Sequence, residues 1–150
     1  MNMTATETRS DAGLATALRI SVSRLARRLR VERQAEGLTS LSDTQLAALA
    51  VLEKHAAMTP GELAEHEKVQ PPSMTRVIAV LEERHLVMRA PHPTDRRQVV
   101  LTVTAEGRAL VVQARRRRDA WLAKRLKELT PEERAILRQA APVLEKLSQA

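Results

Sequence analysis

The segment from Thr59 to Thr104 constrains the fold most strongly, because its hydrophobic periodicity changes partway from that of a helix to that of a strand. A Thr-x-x-Glu capping box, with proline at the first helical position, predicts a short helix from Pro60 to about Glu67. A second helix is predicted from Pro71 to Arg84, since prolines are tolerated in a first helical turn. The runs 86–90 and 99–103 then alternate as strands do.

The second of these helices has one apolar face and one face of small or polar residues. Its apolar stripe is Met74, Val77, Ile78 and Leu81, at i, i+3, i+4 and i+7. The opposite side and its flanks carry Pro72, Ser73, Thr75, Arg76, Ala79 and Glu83. Small residues, hydroxyls and one arginine in the first half of an exposed helix face suit insertion into a DNA major groove.

The two strands are joined by a polar loop with a basic end. Leu86, Met88 and Ala90 alternate with Val87 and Arg89, and Val99, Leu101 and Val103 alternate with Val100 and Thr102. The loop between them, 91–97, reads PHPTDRR and contains turn-forming residues. In an extended loop the Asp95 and Arg97 side chains would point the same way, so that the carboxylate steers the guanidinium. The whole segment predicts a winged helix-turn-helix.

The chain before this segment predicts a tail and two helices. Residues 1–10 are polar and without periodicity, which indicates a disordered tail. A helix is predicted from Ser10 or Asp11 to Gly37, with a stripe longer than a small domain needs to cover its core: Leu14, Leu18, Val22, Leu25 and Leu29. Leu41 and the Ser-x-x-Gln capping box at Ser42 predict a further helix that runs to about His55.

The chain after the segment predicts two more helices. Thr104 caps a long helix that keeps Leu110, Ala114, Trp121 and Leu122 available for burial and carries four consecutive arginines at 115–118. A Thr-x-x-Glu box at Thr130 opens the last helix, whose apolar residues include Leu137, Leu144 and Leu147. Pro142 lies inside it, and because an interior proline bends or ends a helix, a kink is predicted near 138–142. The fold class is therefore mainly α, with a small β-hairpin wing.

Composition favours a polyanionic partner and excludes thiol chemistry. The formal net charge is +7, which points to nucleic acid, with an anionic membrane surface as the competitor. There is no cysteine, so disulfides, thiolate metal ligands and thiol redox switches are excluded. No apolar run is long enough to span a bilayer and the N-terminus has no signal-peptide core, so a cytoplasmic protein with no membrane partner is expected.

The order of elements and several short motifs resemble the MarR family of bacterial transcription regulators over nearly the whole chain. The most specific motif is in the wing, where Asp95-Arg96-Arg97 followed by Val103-Thr104-Ala105-Glu106-Gly107 is similar to the family pattern D-x-R…L-T-x-x-G. Thr75-Arg76, Leu81-Glu82 and Leu86-Val87 also resemble the family's T-R…L-E…G-L-[VI] run.

The resemblance implies a homodimeric, sequence-specific double-stranded DNA-binding regulator, expected to be a repressor of a pseudo-palindromic operator. Regions 11–40 and 105–150 would form the dimerisation region, and 41–104 the DNA-binding domain. The residues expected to contact DNA are Pro72, Ser73, Thr75, Arg76, Ala79, Asp95, Arg96 and Arg97, with Arg97 entering the minor groove and Asp95 holding it. No cofactor is implied, although many members release DNA when a small phenolic or anionic molecule binds between the two regions.

Three departures from the family pattern bear on this expectation. His85 replaces the glycine after the second helix of the motif, so it must adopt a left-handed conformation or the helix must end differently. Val103 stands where leucine is usual, and Pro71-Pro72 is less usual at the helix start. Neither His85 nor Val103 lies on the side expected to face DNA.

Three alternatives are open: an enzyme, a zinc-responsive regulator and a basic protein that coats DNA or membrane. His55, His66, His85 and His92 lack His-x-x-x-His or Glu-x-x-His spacing and there is no Gly-rich phosphate loop, which argues against an enzyme. A zinc-responsive regulator would need His66, Glu62 or His92 brought together by folding. A basic helical protein could also coat DNA or membrane without sequence choice, but such a protein has no use for Asp95 beside its tip arginine.

Overall fold

The computed structural model describes residues 9–34 and 40–150, so most of the expected tail (1–10) lies outside the described residues. Within them the order is α1 (Asp11–Gln34), α2 (Asp43–Lys54), α3 (Pro60–His66), α4 (Pro71–Glu83), β1 (Val87–Pro91), β2 (Val99–Val103), α5 (Ala105–Leu126) and α6 (Pro131–Ser148). The predicted end of the first helix at Gly37 also falls outside the described residues. The prediction of a mainly helical fold with a small hairpin wing is confirmed.

Three helices begin at the capping boxes that the sequence predicts. The Ser42, Thr59 and Thr130 hydroxyls each accept from the backbone N–H three residues on, and a Gln or Glu side chain at that position accepts from the cap's own N–H. Each box satisfies two of the backbone donors that a helix N-terminus otherwise leaves unpaired. These boxes therefore fix the starts of α2, α3 and α6.

The core lies where α2, α3, α4, α5 and the hairpin meet. The largest side chains that are fully buried there are Leu49, Leu52, Leu63, Met74, Ile78, Leu81, Leu101 and Val111. The strands pair antiparallel, with Val87 opposite Val103 and Arg89 opposite Leu101. Met58, just before α3, forms a β-bridge with Leu101 on the other edge of β2. The Met58 N–H donates to the Leu101 carbonyl at 3.2 Å, and the Met58 carbonyl accepts from the Leu101 N–H at 2.7 Å.

The first strand does not bury alternate residues as its apolar pattern suggests, because Val87 is its only buried residue. Val87 is buried, whereas Met88 is 57% exposed. Leu86 is buried too, but it precedes the strand and belongs to the turn that follows α4. Leu86 at the helix end and Val87 in the strand are therefore consecutive buried residues, which alternation alone does not predict.

Two helices end in the left-handed conformation without glycine. His85 has φ 57°, its N–H donates to the Glu82 carbonyl, and the Leu86 N–H donates to the Leu81 carbonyl. This hydrogen-bond pair is a Schellman motif, so the left-handed option expected for His85 is confirmed. Lys68 repeats the arrangement after α3 with φ 52°, which was not predicted because lysine has no preference for that conformation.

The outer helices α1, α5 and α6 are incompletely covered. Helix α1 packs on α5, and no residue of α6 is buried. Helix α6 continues through Pro142 to Ser148, so the proline does not end it. Within the arginine run, Arg117 and Arg118 are half-buried, and an Arg115 guanidinium nitrogen lies 3.3 Å from a Glu53 carboxylate oxygen on α2.

Candidate nucleic-acid interface

Helix α4 separates an apolar face from a polar one as its sequence predicts. The stripe Met74, Val77, Ile78 and Leu81 is buried. All five residues expected to contact DNA from this helix are exposed: Pro72, Ser73, Thr75, Arg76 and Ala79. Pro71 and Pro72 occupy the first helical positions, where they remove two N–H groups that would have no partner within the helix. Small residues therefore dominate the outward face.

The polar side chains on this face differ in whether they already have hydrogen-bond partners within the protein. The Thr75 hydroxyl donates to the Pro71 carbonyl at 3.0 Å, so its proton is already used within the helix. The Arg76 side chain makes no hydrogen bond or ion pair with any residue in the described ranges. Its planar guanidinium is therefore available for a ligand, and this group suits the two acceptors on the major-groove edge of guanine.

The tip of the wing is a tight turn, and not the extended loop that the sequence argument assumed. Asp95 Oδ1 accepts from the Arg97 backbone N–H at 3.0 Å, and the Asp95 carbonyl accepts from the Gln98 N–H at 3.0 Å. This is an aspartate turn, favoured because a short carboxylate can accept from the backbone two residues on. The expectation that Asp95 steers Arg97 through side chains alternating along an extended chain was therefore wrong in its geometry.

The contact between the two side chains nevertheless exists. Asp95 Oδ1 lies 3.4 Å from Nε of Arg97, whose side chain is 93% exposed. An exposed pair of this kind contributes little to stability, about 0–1 kcal/mol. The pair instead affects orientation, because the Asp95 carboxylate restricts an Arg97 guanidinium that would otherwise rotate freely in solvent. Arg96 is also exposed and has no partner in the described ranges.

His92 belongs to this turn, a role that sequence reasoning missed. Its ring Nδ1 lies 3.2 Å from the Thr94 backbone nitrogen and 3.1 Å from that of Asp95, and it accepts from both. A histidine between two prolines indicates a rigid turn, but sequence reasoning considered His92 only for catalysis and metal binding.

The wing is tied to α4 by an ion pair that sequence reasoning also missed. Arg89 on β1 donates from Nε to Oε1 of Glu82 on α4 at 2.7 Å, and both side chains are partly exposed. Seven residues separate them across a turn, so neither helical nor strand spacing predicts the contact. The pair links the two elements expected to touch DNA.

The end of α4, the hairpin and the start of α5 meet at one junction. The Thr104 hydroxyl donates to the His85 carbonyl at 2.8 Å, and its N–H donates to the Leu86 carbonyl at 3.0 Å. The same hydroxyl accepts from the Gly107 N–H at 3.0 Å, capping α5. Gly107 is buried there, so Thr104 and Gly107 hold the wing at a fixed position relative to α4.

A cavity of about 320 Å³ lies between α1, α2 and α5. Its lining is mainly apolar with three charged side chains: Ala26, Leu29, Arg30, Asp43, Leu46, Ala47, Ala50 and Arg118. Arg30 Nε lies 3.6 Å from Asp43 Oδ2 across part of it. A mostly apolar cavity with a few charged groups is typical of sites for small organic ligands.

The described part of the chain offers neither a metal site nor a membrane-spanning helix. His55 and His66 pack edge to face with ring centroids 5.5 Å apart, but no three of the histidine, aspartate and glutamate side chains there are grouped so as to hold a metal ion. Across residues 9–34 and 40–150, none of the helices combines the length and apolar character required to cross a membrane.

Comparison with known proteins agrees with this geometry. The MarR family model matches residues 41–99, which include α2, α3, α4, β1 and the loop of the wing. An HTH-type transcriptional regulator of Mycobacterium tuberculosis is 53% identical over 135 residues, 90% of this chain and 92% of the relative. The HTH-type transcriptional repressor MdtR of Bacillus subtilis is 36% identical over 110 residues, 73% of this chain and 69% of MdtR.

Comparison with solved structures points to the same family. The crystal structure of wild-type MarR from E. coli, in its apo form, matches with a TM-score of 0.70 at 25% identity, covering 87% of this chain and 96% of that one. Family membership also confirms the prediction that the chain is not an enzyme, since MarR family regulators act by binding DNA. The exposed face of α4, the basic wing and these relatives together identify the chain as a DNA-binding transcription regulator that belongs to the MarR family.

Proposed function

We propose that the protein is a repressor that binds a pseudo-palindromic operator as a homodimer in the cytoplasm. The observation that carries this proposal is the free Arg76 side chain on an otherwise small-residue helix face, beside a wing tip that presents Arg97. One protomer offers one such face. Two protomers related by a two-fold axis offer two, which matches operators made of two half-sites.

Dimerisation is supported by apolar side chains that the monomer leaves exposed. They lie on α1 and α6: Leu14, Val22, Leu25, Val31, Ile136, Leu137, Val143, Leu144 and Leu147. Monomeric soluble proteins rarely expose large contiguous apolar patches. We therefore assign regions 11–40 and 105–150 to dimerisation and 41–104 to DNA binding.

The cavity between α1, α2 and α5 supports release of DNA by a small aromatic anion. Arg30 and Arg118 outnumber the one carboxylate, Asp43, in an otherwise apolar lining, and the resulting net positive charge suits a carboxylate attached to a ring. We expect a hydroxybenzoate to raise the melting temperature and weaken operator binding, with both effects reduced in Arg118→Gln. Equal responses of wild type and Arg118→Gln would contradict this assignment.

A footprint on the DNA upstream of the protein's own coding sequence tests the main proposal. Two protected half-sites centred about one helical turn apart, on one face of the duplex, are expected. A scrambled sequence of the same composition, at the same salt concentration, serves as control because phosphate contacts alone depend strongly on salt. Equal affinity for both sequences would overturn the proposal.

Arg76 is expected to read a base. If it pairs with guanine, Arg76→Ala should cost about 1–3 kcal/mol of binding free energy and relax preference at one position per half-site. Arg116→Ala removes the same charge from an exposed site on α5 and is the matched control. Uniform weakening of all sequences by Arg76→Ala would assign this residue to a phosphate.

The wing is expected to read groove shape. Arg97→Ala should weaken operator binding by roughly 1–3 kcal/mol and flatten its dependence on A·T content in the flanks, because a narrow minor groove attracts arginine. Arg97→Lys should recover little, since lysine lacks the planar fork that Asp95 restrains.

Asp95→Ala separates this mechanism from simple attraction. It should weaken binding although it removes a negative charge, because Arg97 loses its restraint. Affinities are measured by fluorescence anisotropy with A·T-rich and G·C-rich flanks, and Asp119→Ala, which removes an exposed carboxylate from α5, serves as the charge control. Tighter binding by Asp95→Ala, with Arg97→Lys equal to wild type, would show that the tip acts only as a charged tether.

A further inference from the structure

The loop between β1 and β2 is closed by backbone contacts around His92. The His92 N–H donates to the Gln98 carbonyl at 3.2 Å, which extends the hairpin one pair beyond Pro91 and Val99. Pro91 and Pro93 flank His92, and each proline fixes its own φ and restricts the residue before it. The backbone of His92 is therefore held in place independently of any contact that its side chain makes.

The imidazole then organises the turn. Nδ1 accepts from the Thr94 N–H at 3.2 Å and from the Asp95 N–H at 3.1 Å, and the Thr94 hydroxyl lies 3.4 Å away. Because Nδ1 accepts these hydrogen bonds, the neutral ring must carry its proton on Nε2. His92 thus uses its ring as aspartate uses its carboxylate in a turn, to collect the backbone donors that follow it.

The two turns are consecutive and share Asp95. His92 holds the Asp95 N–H, while Asp95 Oδ1 holds the Arg97 N–H at 3.0 Å and lies 3.4 Å from Arg97 Nε. The orientation of Arg97 therefore depends on His92 through Asp95. Four residues of the tip are exposed: Pro93, Thr94, Arg96 and Arg97. The tip therefore has no packed core, and these hydrogen bonds are what define its conformation.

We propose that His92 is a positioning residue for DNA recognition, whose Nδ1 fixes the wing tip so that Asp95 presents Arg97 to the minor groove. This inference rests on the proposed function, since it assigns a role within the same DNA contact. It goes beyond that function by naming the group that sets the geometry of the shape-reading arginine.

Three substitutions of His92 separate positioning from bulk. In His92→Asn the amide oxygen can take the place of Nδ1 and accept from both N–H groups. His92→Gln has a similar acceptor one methylene farther out, and His92→Ala has none. We expect His92→Asn to bind the operator within about twofold of wild type and to retain its preference for A·T-rich flanks.

His92→Ala and His92→Gln should lose affinity and A·T dependence to about the same extent as Arg97→Ala. The double variant His92→Ala/Arg97→Ala should lose little more than Arg97→Ala alone, because both changes remove one shared contact. Melting temperatures should stay within a few degrees of wild type. Wild-type binding by His92→Ala, additive losses in the double variant, or binding by His92→Asn as weak as by His92→Ala would each overturn the proposal.

Amide hydrogen exchange in the free protein separates failure of this inference from failure of the proposed function. The Thr94 and Asp95 amides should be protected in wild type and His92→Asn and should exchange freely in His92→Ala. Specific DNA binding with unprotected wild-type amides would overturn the role of His92 alone. Protected amides without specific DNA binding by the wild type would overturn the proposed function and, with it, a positioning role toward DNA.

Discussion

Gly107→Ala is expected to destabilise the protein by about 1–3 kcal/mol or more, because it forces a methyl group into a filled junction. A Cβ atom at Gly107 would lie 2.3 Å from the Leu86 carbonyl oxygen and 2.9 Å from a Val103 methyl carbon. The carbonyl cannot simply move aside, since it accepts the Thr104 N–H at 3.0 Å and follows directly on the left-handed residue His85.

Urea unfolding followed by circular dichroism measures this loss. The matched control is Gly61→Ala in α3, where the nearest atom to a new Cβ is the Thr59 hydroxyl oxygen at 3.9 Å, an ordinary contact. Because alanine loses less chain entropy on folding, Gly61→Ala should leave stability unchanged or raise it by about 0.4–1 kcal/mol. If both variants were equally stable, the close packing of α5 on the end of α4 would be disproved.

The same junction also links stability to DNA contact. Thr104 binds the carbonyls of His85 and Leu86 while it caps α5, so any shift of α5 to accommodate a methyl group also shifts the wing relative to α4. A Gly107→Ala protein that remains folded at low temperature should therefore bind operator more weakly than Gly61→Ala does.

Local hydrogen-bonding rules explain why the helices could be predicted from the sequence. A capping box spans four residues and needs no partner from elsewhere, so Ser42, Thr59 and Thr130 each fixed a helix start. The shared burial of Met74, Val77, Ile78 and Leu81 could also be predicted locally, because residues at this helical spacing lie on one face of the helix.

The details of the wing could not be predicted because they depend on contacts between separate elements. The Glu82–Arg89 pair joins a helix to a strand, and the Met58–Leu101 bridge joins residues far apart in the chain. His92 was missed for a different reason, since a histidine ring that accepts backbone N–H groups leaves no pattern in the sequence. The assumption of an extended tip failed because Asp95 forms a turn with its own neighbours.

Disrupting the apolar face of α6 should have the largest effect on function. We expect the double variant Ile136→Glu/Leu147→Glu to be monomeric and to lose about 10²-fold or more of its operator affinity, because one protomer then binds one half-site without the second. Ile136 is 63% exposed and Leu147 is 59% exposed, so neither glutamate is buried in the monomer. In a dimer both would be buried against apolar side chains without a partner, at considerable cost.

Light scattering at micromolar concentration and operator titrations test this prediction together. Ala135→Glu, on an exposed part of α6 turned away from the apolar stripe, is the control for adding charge to the helix and should remain dimeric. Circular dichroism should show both variants to be folded, because no residue of α6 belongs to the buried core. A monomeric mass for the wild-type protein, or a dimeric Ile136→Glu/Leu147→Glu variant, would contradict the assignment of α6 to the dimer interface. Full operator affinity in a monomeric variant would instead show that a single α4 and wing suffice for recognition.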